Sequence, residues 1–230
     1  MPKPVLVRQH VDTAPAGLLA EWLDARGLPY EVSRSWELAP LPDPADYGFV
    51  ASLGHDRMAG DLHDPAVAAE RELLTRAVGR EVPVLGLCYG GQVLAALLGA
   101  RVGPAPVAEL GWRVIETDDP ELVPAGPWLE WHFERFETPP GATELARTAD
   151  AAQAFRLGPH LGVQFHPEAT VEIVEGWARA DAEQLAALGI PDGDALLAAP
   201  AEQLGAARDA AFRLFDGFLA VARQPRTAAA

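Results

Sequence analysis

The segment that most constrains how this chain can fold runs from Val82 to Gly99. Its apolar first part, Val82–Leu87, predicts a buried strand, and its last part, Gly91–Leu98, predicts a helix that stops at a glycine. Cys88 lies between the two. The segment therefore predicts a strand that passes into a helix through a tight turn carrying a cysteine.

The turn around Cys88 has a glycine two residues before it, Gly86, and another two residues after it, Gly90. A side chain pushed out on a tight turn brings neighbouring backbone close together, so these positions must be small and the turn is strained. The spacing is that of a nucleophile elbow with cysteine as the nucleophile. The following helix turns its positive end toward the sulfur, which favours the thiolate, and leaves the Tyr89 N–H free to stabilise an oxyanion. The alternative is a small buried cysteine at a glycine-rich turn.

The chain before this segment alternates between strand and helix patterns. Apolar runs predict strands at Pro4–Val7, Tyr30–Val32 and Tyr47–Leu53, and helical periods predict helices at Pro15–Arg26, capped by Asp12 or Thr13, and from Asp64-Pro65 to Arg80. This alternation is typical of an α/β protein with a mostly parallel sheet and helices on both faces.

The second half of the chain is first rich in strand patterns and then helical. The predicted strands, which could extend the sheet or form a small flanking one, are Gly111–Thr117, Trp131–Phe136, Glu144–Arg147, Ala154–Arg156 and Leu161–Gln164. Residues 170–223 are predicted to be helical with a break near Gly189-Ile190-Pro191, and their apolar stripe is expected in the core; it comprises Phe212, Leu214, Phe215 and Phe218. We expect one domain over residues 1–223 and a frayed tail at 224–230.

Composition and charge exclude several classes of protein. With 18 Lys and Arg against 33 Asp and Glu, the 230-residue chain has a formal net charge of −15, and its arginines are scattered, so a nucleic-acid surface is excluded. The longest apolar stretch, Val82–Ala100, is interrupted by glycines, Cys88 and Gln92, unlike a membrane span. A single cysteine permits no internal disulfide, and the amino terminus has no signal-peptide pattern, so we expect a cytoplasmic protein.

A second segment, Leu161–Thr170, places a histidine where such a sheet carries catalytic groups. The segment is typical of a strand that ends in a polar turn, with His166 at the strand terminus and Glu168 two residues on. A cysteine nucleophile needs a base, and imidazole titrates near neutrality. Glu168 could orient the ring and stabilise the imidazolium. The alternative is a structural histidine before a proline turn.

Together the two segments resemble the class I glutamine amidotransferase family, the triad glutaminases typified by the amidotransferase domain of GMP synthase. Gly-Leu-Cys88-Tyr-Gly-Gly-Gln92 matches the family's nucleophile motif, and Gln-Phe-His166-Pro-Glu168 matches its His/Glu motif. Glu109–Trp112 and Trp131–Ala142 are similar to family segments beside the glutamine pocket. The resemblance covers about Tyr47 to Thr170 and implies a flavodoxin-like, three-layer α/β sandwich with a mostly parallel central sheet and a helical C-terminal segment.

The resemblance also implies a reaction. Cys88 would attack the side-chain amide of glutamine, His166 would protonate the departing ammonia, and water would release glutamate from a γ-glutamyl thioester. The oxyanion donors would be the backbone N–H groups of Tyr89 and Gly54. Gln92 would hydrogen-bond the glutamine. No cofactor is implied.

Two other groups of residues admit more than one interpretation. By the same resemblance His132 and Phe133 would border the pocket, and we expect Trp131 and His132 to pack beside it rather than form a second catalytic centre. A loop of acidic and histidine residues matches no established zinc or calcium pattern, so we expect no metal there; its members are His55, Asp56, Asp61, His63 and Asp64.

One segment departs from the family's pattern. Many relatives have two adjacent glycines followed by proline where this chain has Ser52-Leu53-Gly54-His55-Asp56. By resemblance, such loops can rest in inactive conformations until a partner binds, which implies low glutaminase activity for the chain alone.

The expected partner is a separate synthetase, because family enzymes usually pass ammonia to one and the amidotransferase fold accounts for this whole chain. Two alternatives stay open. A stand-alone hydrolase of another γ-glutamyl amide or isopeptide would be favoured by a pocket wider than glutamine. A non-catalytic regulatory protein would be favoured by an altered triad.

Overall fold

The computed structural model describes residues 3–37, 39–189 and 201–224 of the chain. The strands are β1 (Val5–Gln9), β2 (Tyr30–Arg34), β3 (Val50–Ser52), β4 (Val84–Leu87), β5 (Val102–Arg113), β6 (Glu116–Thr117), β7 (Trp128–Phe136), β8 (Thr143–Arg147), β9 (Ala152–Leu157) and β10 (His160–Val163). The helices are α1 (Gly17–Ala25), α2 (Pro65–Gly79), α3 (Tyr89–Leu97), α4 (Val171–Ala180), α5 (Ala182–Ala187) and α6 (Ala201–Ala222), with a 3₁₀ turn at Pro44–Asp46.

The central sheet has eight strands in the order β2-β1-β3-β4-β10-β9-β8-β6. The first five are parallel to one another, and the last three continue the sheet in antiparallel pairs. The order of the parallel part is that of flavodoxin-like folds. The strands of the second half were expected either to extend the sheet or to form a small flanking one, and both occur. Strands β6, β8, β9 and β10 extend the sheet, and β5 and β7 form a separate antiparallel pair.

Helices cover both faces of the central sheet. Successive side chains of a buried strand point to opposite faces, so a single strand packs against helices on both sides. Val5 and Val7 of β1 pack in one cluster with α1 and α6, whereas Leu6 packs in another with α2 and α3. These two clusters form the main core. The predicted three-layer α/β sandwich is thus confirmed.

The apolar stripe of α6 belongs to this core, as the sequence predicts. Phe212 packs against its edge, and three residues of the stripe have no exposed surface: Leu214, Phe215 and Phe218. The indole N–H of Trp22 on α1 donates to the carboxylate of Asp216 on α6 at 2.9 Å. The C-terminal helix therefore closes one face of the sheet by docking on α1.

A smaller cluster joins β7 to α4 beside the end of the sheet. It contains Leu129 and Trp131 from the strand and Val174 and Trp177 from the helix. Thr170 begins the helix by accepting a hydrogen bond from the amide of Ile173 at 3.4 Å. This cluster supports one wall of the cavity described below.

Several predicted boundaries are wrong. The strand expected at Tyr47–Leu53 is only Val50–Ser52, because pairing with β1 and β4 is confined to those residues. Helix α1 has no cap from Asp12 or Thr13 and instead follows Ala16, whose side chain makes no capping bond. The strand expected at Gly111–Thr117 is divided into β5, which begins at Val102, and the two-residue β6.

The C-terminal predictions lie partly beyond the part of the chain that the structure describes. Gly189 has a positive φ of 79°, as a helix break requires, but residues 190 and 191 lie outside the described residues. The predicted frayed tail lies outside them from residue 225 onward. In the described part of the chain, no helix combines the length and apolar character needed to cross a membrane.

Candidate active site

The candidate site lies at the carboxyl ends of three neighbouring parallel strands, β3, β4 and β10. Gly54 follows β3, Cys88 follows β4 directly, and His166 follows β10. Because parallel strands end at the same edge of a sheet, residues far apart in the sequence meet there. The fold thus brings together the segment around Cys88 and the segment around His166.

Cys88 occupies a strained turn between β4 and α3. Its φ of 49° and ψ of −108° place it in the left-handed half of the backbone map, where residues other than glycine are uncommon. A Cβ atom on Gly86 would lie 2.6 Å from the carbonyl carbon of Gly90, and one on Gly90 would lie 2.2 Å from the carbonyl oxygen of Ser52. Both positions therefore require glycine, as the sequence predicts. The helix begins at Tyr89 rather than at Gly91, because the strained turn leaves no intervening loop.

His166 and Glu168 form a buried pair in which Nδ1 of the ring lies 2.7 Å from Oε1 of the carboxylate. The backbone holds both residues in place. The amide of His166 donates to the carbonyl of Leu129 at 2.9 Å, and the amide of Leu18 at the start of α1 donates to the carbonyl of Glu168 at 2.9 Å. The imidazole also lies against the ring of Trp177, with centroids 4.5 Å apart. The histidine is thus fixed in one orientation, with Nε2 left for proton transfer.

The charges around His166 favour its protonated form. Burial by itself would lower the pKa of the ring, but the negative charges of Cys88 and Glu168 raise it well above its ordinary value. An imidazolium beside a thiolate is the charge arrangement of an activated cysteine nucleophile.

A cavity of about 450 Å³ opens at this edge of the sheet. Six predicted site residues line it: Gly54, Cys88, Gln92, His132, Phe133 and His166. Glu168 lies behind His166 rather than in the wall. The side chain of Tyr89 is also outside the wall and packs edge-on against two histidine rings. The structure therefore places six of the eight predicted residues on the cavity and the other two directly behind it.

Two backbone amides near Cys88 are candidates for an oxyanion site, because Tyr89 directly follows the cysteine and Gly54 lines the same cavity. Tyr89 is the first residue of α3, where amide groups have no acceptor within the helix. The amide of Gly54 donates to no acceptor among the described residues. A Cβ atom on Gly54 would lie 3.1 Å from Cε1 of His166, so a side chain there would crowd the histidine. Neither amide therefore has an acceptor within the regular structure around it.

Gln164 contacts two of the predicted site residues but is not itself one of those predicted. It is fully buried, its side-chain amide donates to the sulfur of Cys88 at 3.7 Å, and it accepts a hydrogen bond from Gln92 at 3.4 Å. Gln92 also donates to the carbonyl oxygen of Glu134 at 3.1 Å. The sequence contains a signal for this position. Residues that lie two apart in an extended chain share a face, and Gln164 lies two residues before His166.

His132 lines the cavity and is backed by two buried carboxylates. Its Nε2 lies 3.3 Å from Oε2 of Glu109 and 3.2 Å from Oε2 of Glu130. Burial by itself would lower the pKa of this ring, but the two carboxylates raise it to about 9. The carboxylate of Glu109 also accepts from the side-chain amide of Gln153 at 2.8 Å. The sequence indicated a pocket position for His132 but not the two glutamates behind it.

The loop of acidic and histidine residues has local structural roles. Asp64 begins α2 by accepting from the amide of Ala66 at 2.8 Å, and Asp61 accepts from the amide of His63 at 3.1 Å. Among the described residues, no three His, Cys, Asp or Glu side chains are arranged to hold a metal ion.

The fold and the site define a class of protein, an α/β sandwich with a cysteine nucleophile elbow and a buried His–Glu pair on adjacent strands. Residues 58–174 match the family model of class-I glutamine amidotransferases. The chain therefore belongs to the class I glutamine amidotransferase family, as its motifs indicate.

Individual proteins show the same relationship. The glutamine-hydrolyzing GMP synthase of Aeropyrum pernix is 34% identical over 178 residues, which cover 70% of this chain and 33% of that protein. One subunit of the glutamine-hydrolyzing GMP synthase of Ignicoccus hospitalis is 39% identical over 138 residues, 56% of this chain and 71% of that subunit. The chain thus spans about a third of the Aeropyrum protein. The crystal structure of a glutamine amido transferase from Methylobacillus flagellatus superimposes with a TM-score of 0.82 at 26% identity, covering 100% of this chain and 99% of that one.

Proposed function

We propose that this chain hydrolyses the side-chain amide of glutamine to glutamate and ammonia through a γ-glutamyl thioester on Cys88. The observation that carries the proposal is the meeting of Cys88 and the His166–Glu168 pair at the ends of adjacent strands, with the sulfur and the imidazole on one cavity. The presence of all three side chains supports an enzyme over a non-catalytic regulatory protein.

The first half-reaction forms the thioester. The thiolate of Cys88 attacks the amide carbon, and the carbonyl oxygen becomes an oxyanion that the amides of Gly54 and Tyr89 stabilise. The imidazolium of His166, held by Glu168, gives its proton to the amide nitrogen, so the C–N bond breaks and ammonia leaves.

The second half-reaction releases glutamate. Water attacks the thioester carbon while the neutral ring of His166 takes its proton. The same amides stabilise the second oxyanion, the C–S bond breaks, and the thiolate and imidazolium are restored. The product carboxyl group then loses its proton to solvent. Gln92, His132 and Phe133 would contact the rest of the glutamine molecule from the cavity wall.

The acceptor of the ammonia is proposed to be a separate synthetase in the cytoplasm. The relative from Ignicoccus hospitalis is named as one subunit of a GMP synthase, and the Aeropyrum pernix relative is a longer GMP synthase of which this chain matches a third. Both relationships support a glutaminase that works with a synthetase.

The test is the rate of glutamate release from glutamine by the purified chain and its variants. We expect Cys88→Ala to lose roughly 10³-fold or more of the activity, because no other group can form the thioester. Glu168→Gln should lose roughly 10²–10⁴-fold, because the imidazolium loses its carboxylate. Glu175→Gln, an exposed glutamate on α4, is the matched control and should retain the wild-type rate. Equal rates for the wild type and Cys88→Ala would contradict the proposal.

A second candidate substrate is a γ-glutamyl amide or isopeptide with a larger amine than ammonia. The size of the cavity favours it, because about 450 Å³ lies within the range that holds drug-sized ligands, whereas glutamine is much smaller. The chemistry at Cys88 would be the same. Cleavage of γ-glutamyl-p-nitroanilide at a higher kcat/KM than glutamine would select this candidate over glutamine.

A further inference from the structure

Three buried aromatic rings connect the loop after β3 to the start of α3. We call them the ring cluster: His10, His55 and Tyr89. The two imidazoles are stacked, with centroids 5.4 Å apart and planes 7° apart. The phenol ring meets His10 edge-on at 5.0 Å and His55 edge-on at 5.1 Å. The side chain of His55 is only 4% exposed although it belongs to a surface loop.

The ring cluster joins the two backbone segments that carry the free amides of the site. His55 is the residue after Gly54, and Tyr89 carries the other amide itself. A contact between the rings of His55 and Tyr89 therefore limits how far one amide can move relative to the other. The peptide that carries the Gly54 amide is also held through its carbonyl, that of Leu53, which accepts a hydrogen bond from the amide of Gly90 at 3.2 Å. The ring cluster adds a second link between the same two segments, on the other side of Gly54.

The base of the cluster is fixed by a buried polar network. Nε2 of His10 lies 3.3 Å from the hydroxyl of Ser52 and 3.7 Å from Oε1 of Glu70. Ser52 donates to the same carboxylate at 2.7 Å, and Nε of Arg8 donates to its other oxygen at 3.1 Å. These residues come from β1, β3 and α2, so His10 is anchored to the rigid part of the fold.

The edge of the His55 ring contacts the next residue of its own loop. The amide of Asp56 donates to Nδ1 of the ring at 2.9 Å, and the Asp56 carboxylate lies 2.7 Å from the same atom. Burial lowers the pKa of both imidazoles, and that of His10 is lowered further by its neighbours His55 and Arg8. At His55 the Asp56 carboxylate opposes burial and Arg57 adds to it, and the pKa stays below its ordinary value. The stacked pair therefore remains uncharged at neutral pH.

We propose that His55, supported by His10, is a positioning residue that holds the Gly54 amide where it stabilises the oxyanion formed on the substrate amide. This role rests on the proposed function, because it requires a tetrahedral intermediate on Cys88. His55 lines the same cavity, and the proposed role acts through the Gly54 amide rather than through a bond from the ring to the substrate. Its ring instead keeps the loop from carrying the Gly54 amide away from the sulfur.

The experiment compares His55→Ala, which removes the ring, with His55→Phe, which keeps a ring that can stack on His10. For glutamine hydrolysis, His55→Ala should lower kcat by about 10–100-fold, less than the loss expected on deleting an oxyanion donor outright, and should change KM by less than about threefold. His55→Phe should stay within about threefold of the wild-type kcat. His63→Ala, an exposed histidine of the same loop, is the matched control and should behave as the wild type.

A second readout separates positioning from a general loss of structure. Alkylation of Cys88 by iodoacetamide needs the thiolate but forms no oxyanion, so its rate should be the same in the wild type, His55→Ala and His55→Phe. If His55→Ala does not fold, His55→Asn also lacks the aromatic ring and should show the same loss of kcat.

Three results would overturn the role of His55. The first is an unchanged kcat in folded His55→Ala or His55→Asn. The second is a parallel loss of alkylation, which would assign the ring to the fold or the thiolate instead. In both cases the wild type is active, so the proposed function stands. The third is a wild type that releases no glutamate, which would contradict the proposed function and the role of His55 with it.

Discussion

Four buried histidine rings near Cys88 differ in the charge state that their surroundings favour. Burial lowers the pKa of every one, but nearby negative charges raise that of His166 and His132 above the ordinary value. His10 and His55 stack on each other instead, and their pKa values stay low. The site thus combines two rings that favour the protonated form, His166 and His132, with a stacked pair that favours the uncharged form.

The charge on His132 predicts a dependence of stability on pH. Its pKa is about 9 in the folded chain against 6.5 in the unfolded chain, so the folded state binds the proton more tightly. The resulting stabilisation is fully present below pH 6.5 and is lost as the pH rises through about 9. We expect the wild type to lose roughly 1–3 kcal/mol more than His132→Asn between these values.

Urea unfolding at a series of pH values measures this difference. His166 also has a raised pKa, so the wild-type curve alone does not isolate His132, and the quantity to compare is the difference between the two proteins. Parallel curves for the wild type and His132→Asn would show that Glu109 and Glu130 do not hold the ring protonated.

The junction of β4 and α3 requires positions without a side chain on both sides of Cys88, at Gly86 and Gly90. Gly90→Ala would place a Cβ atom 2.2 Å from the carbonyl oxygen of Ser52, a backbone atom that cannot rotate away. We expect a loss of about 1–3 kcal/mol in the free energy of unfolding, together with loss of glutaminase activity because β3 and the Cys88 turn must separate.

The matched control is Gly205→Ala in α6, where a Cβ atom meets nothing within 4 Å. Alanine suits a helix better than glycine, so this variant should gain about 0.5–1 kcal/mol. Chemical denaturation of the two variants gives the comparison. An unchanged stability for Gly90→Ala would mean that the close approach of α3 to β3 is not required.

Helices and strands that follow from a local apolar pattern could be predicted from the sequence. Strands whose bounds depend on the strand they pair with could not. The strand and helix on either side of Cys88 follow from apolar runs and a glycine stop. Strand β5 was missed over its first half because Pro104 and Pro106 are typical of turns. The strand tolerates them because it pairs on one side only, with β7, and its register shifts between Pro104 and Glu109.

Across the whole fold, the sequence predicts the side chains that are proposed to react but not all of the residues that contact them. Cys88 and the His166–Glu168 pair lie in short motifs, and the alternation of strands and helices predicts the sheet edge at which they meet. The contact of His10 with Glu70 and that of His132 with Glu109 depend on which strands and helices become neighbours. No period or spacing in the sequence contains that information.

If Cys88 is the nucleophile of a glutamine site, a reactive glutamine analogue should label it covalently. The folded chain is exposed to 6-diazo-5-oxo-norleucine, a glutamine analogue that alkylates such nucleophiles, and its intact mass is measured with and without excess glutamine. We predict a single adduct on the wild type, protection by glutamine, and no adduct on Cys88→Ala. A folded wild type that takes up no label, labelling that glutamine does not slow, or an equal adduct on Cys88→Ala would show that Cys88 is not the nucleophile of a glutamine site.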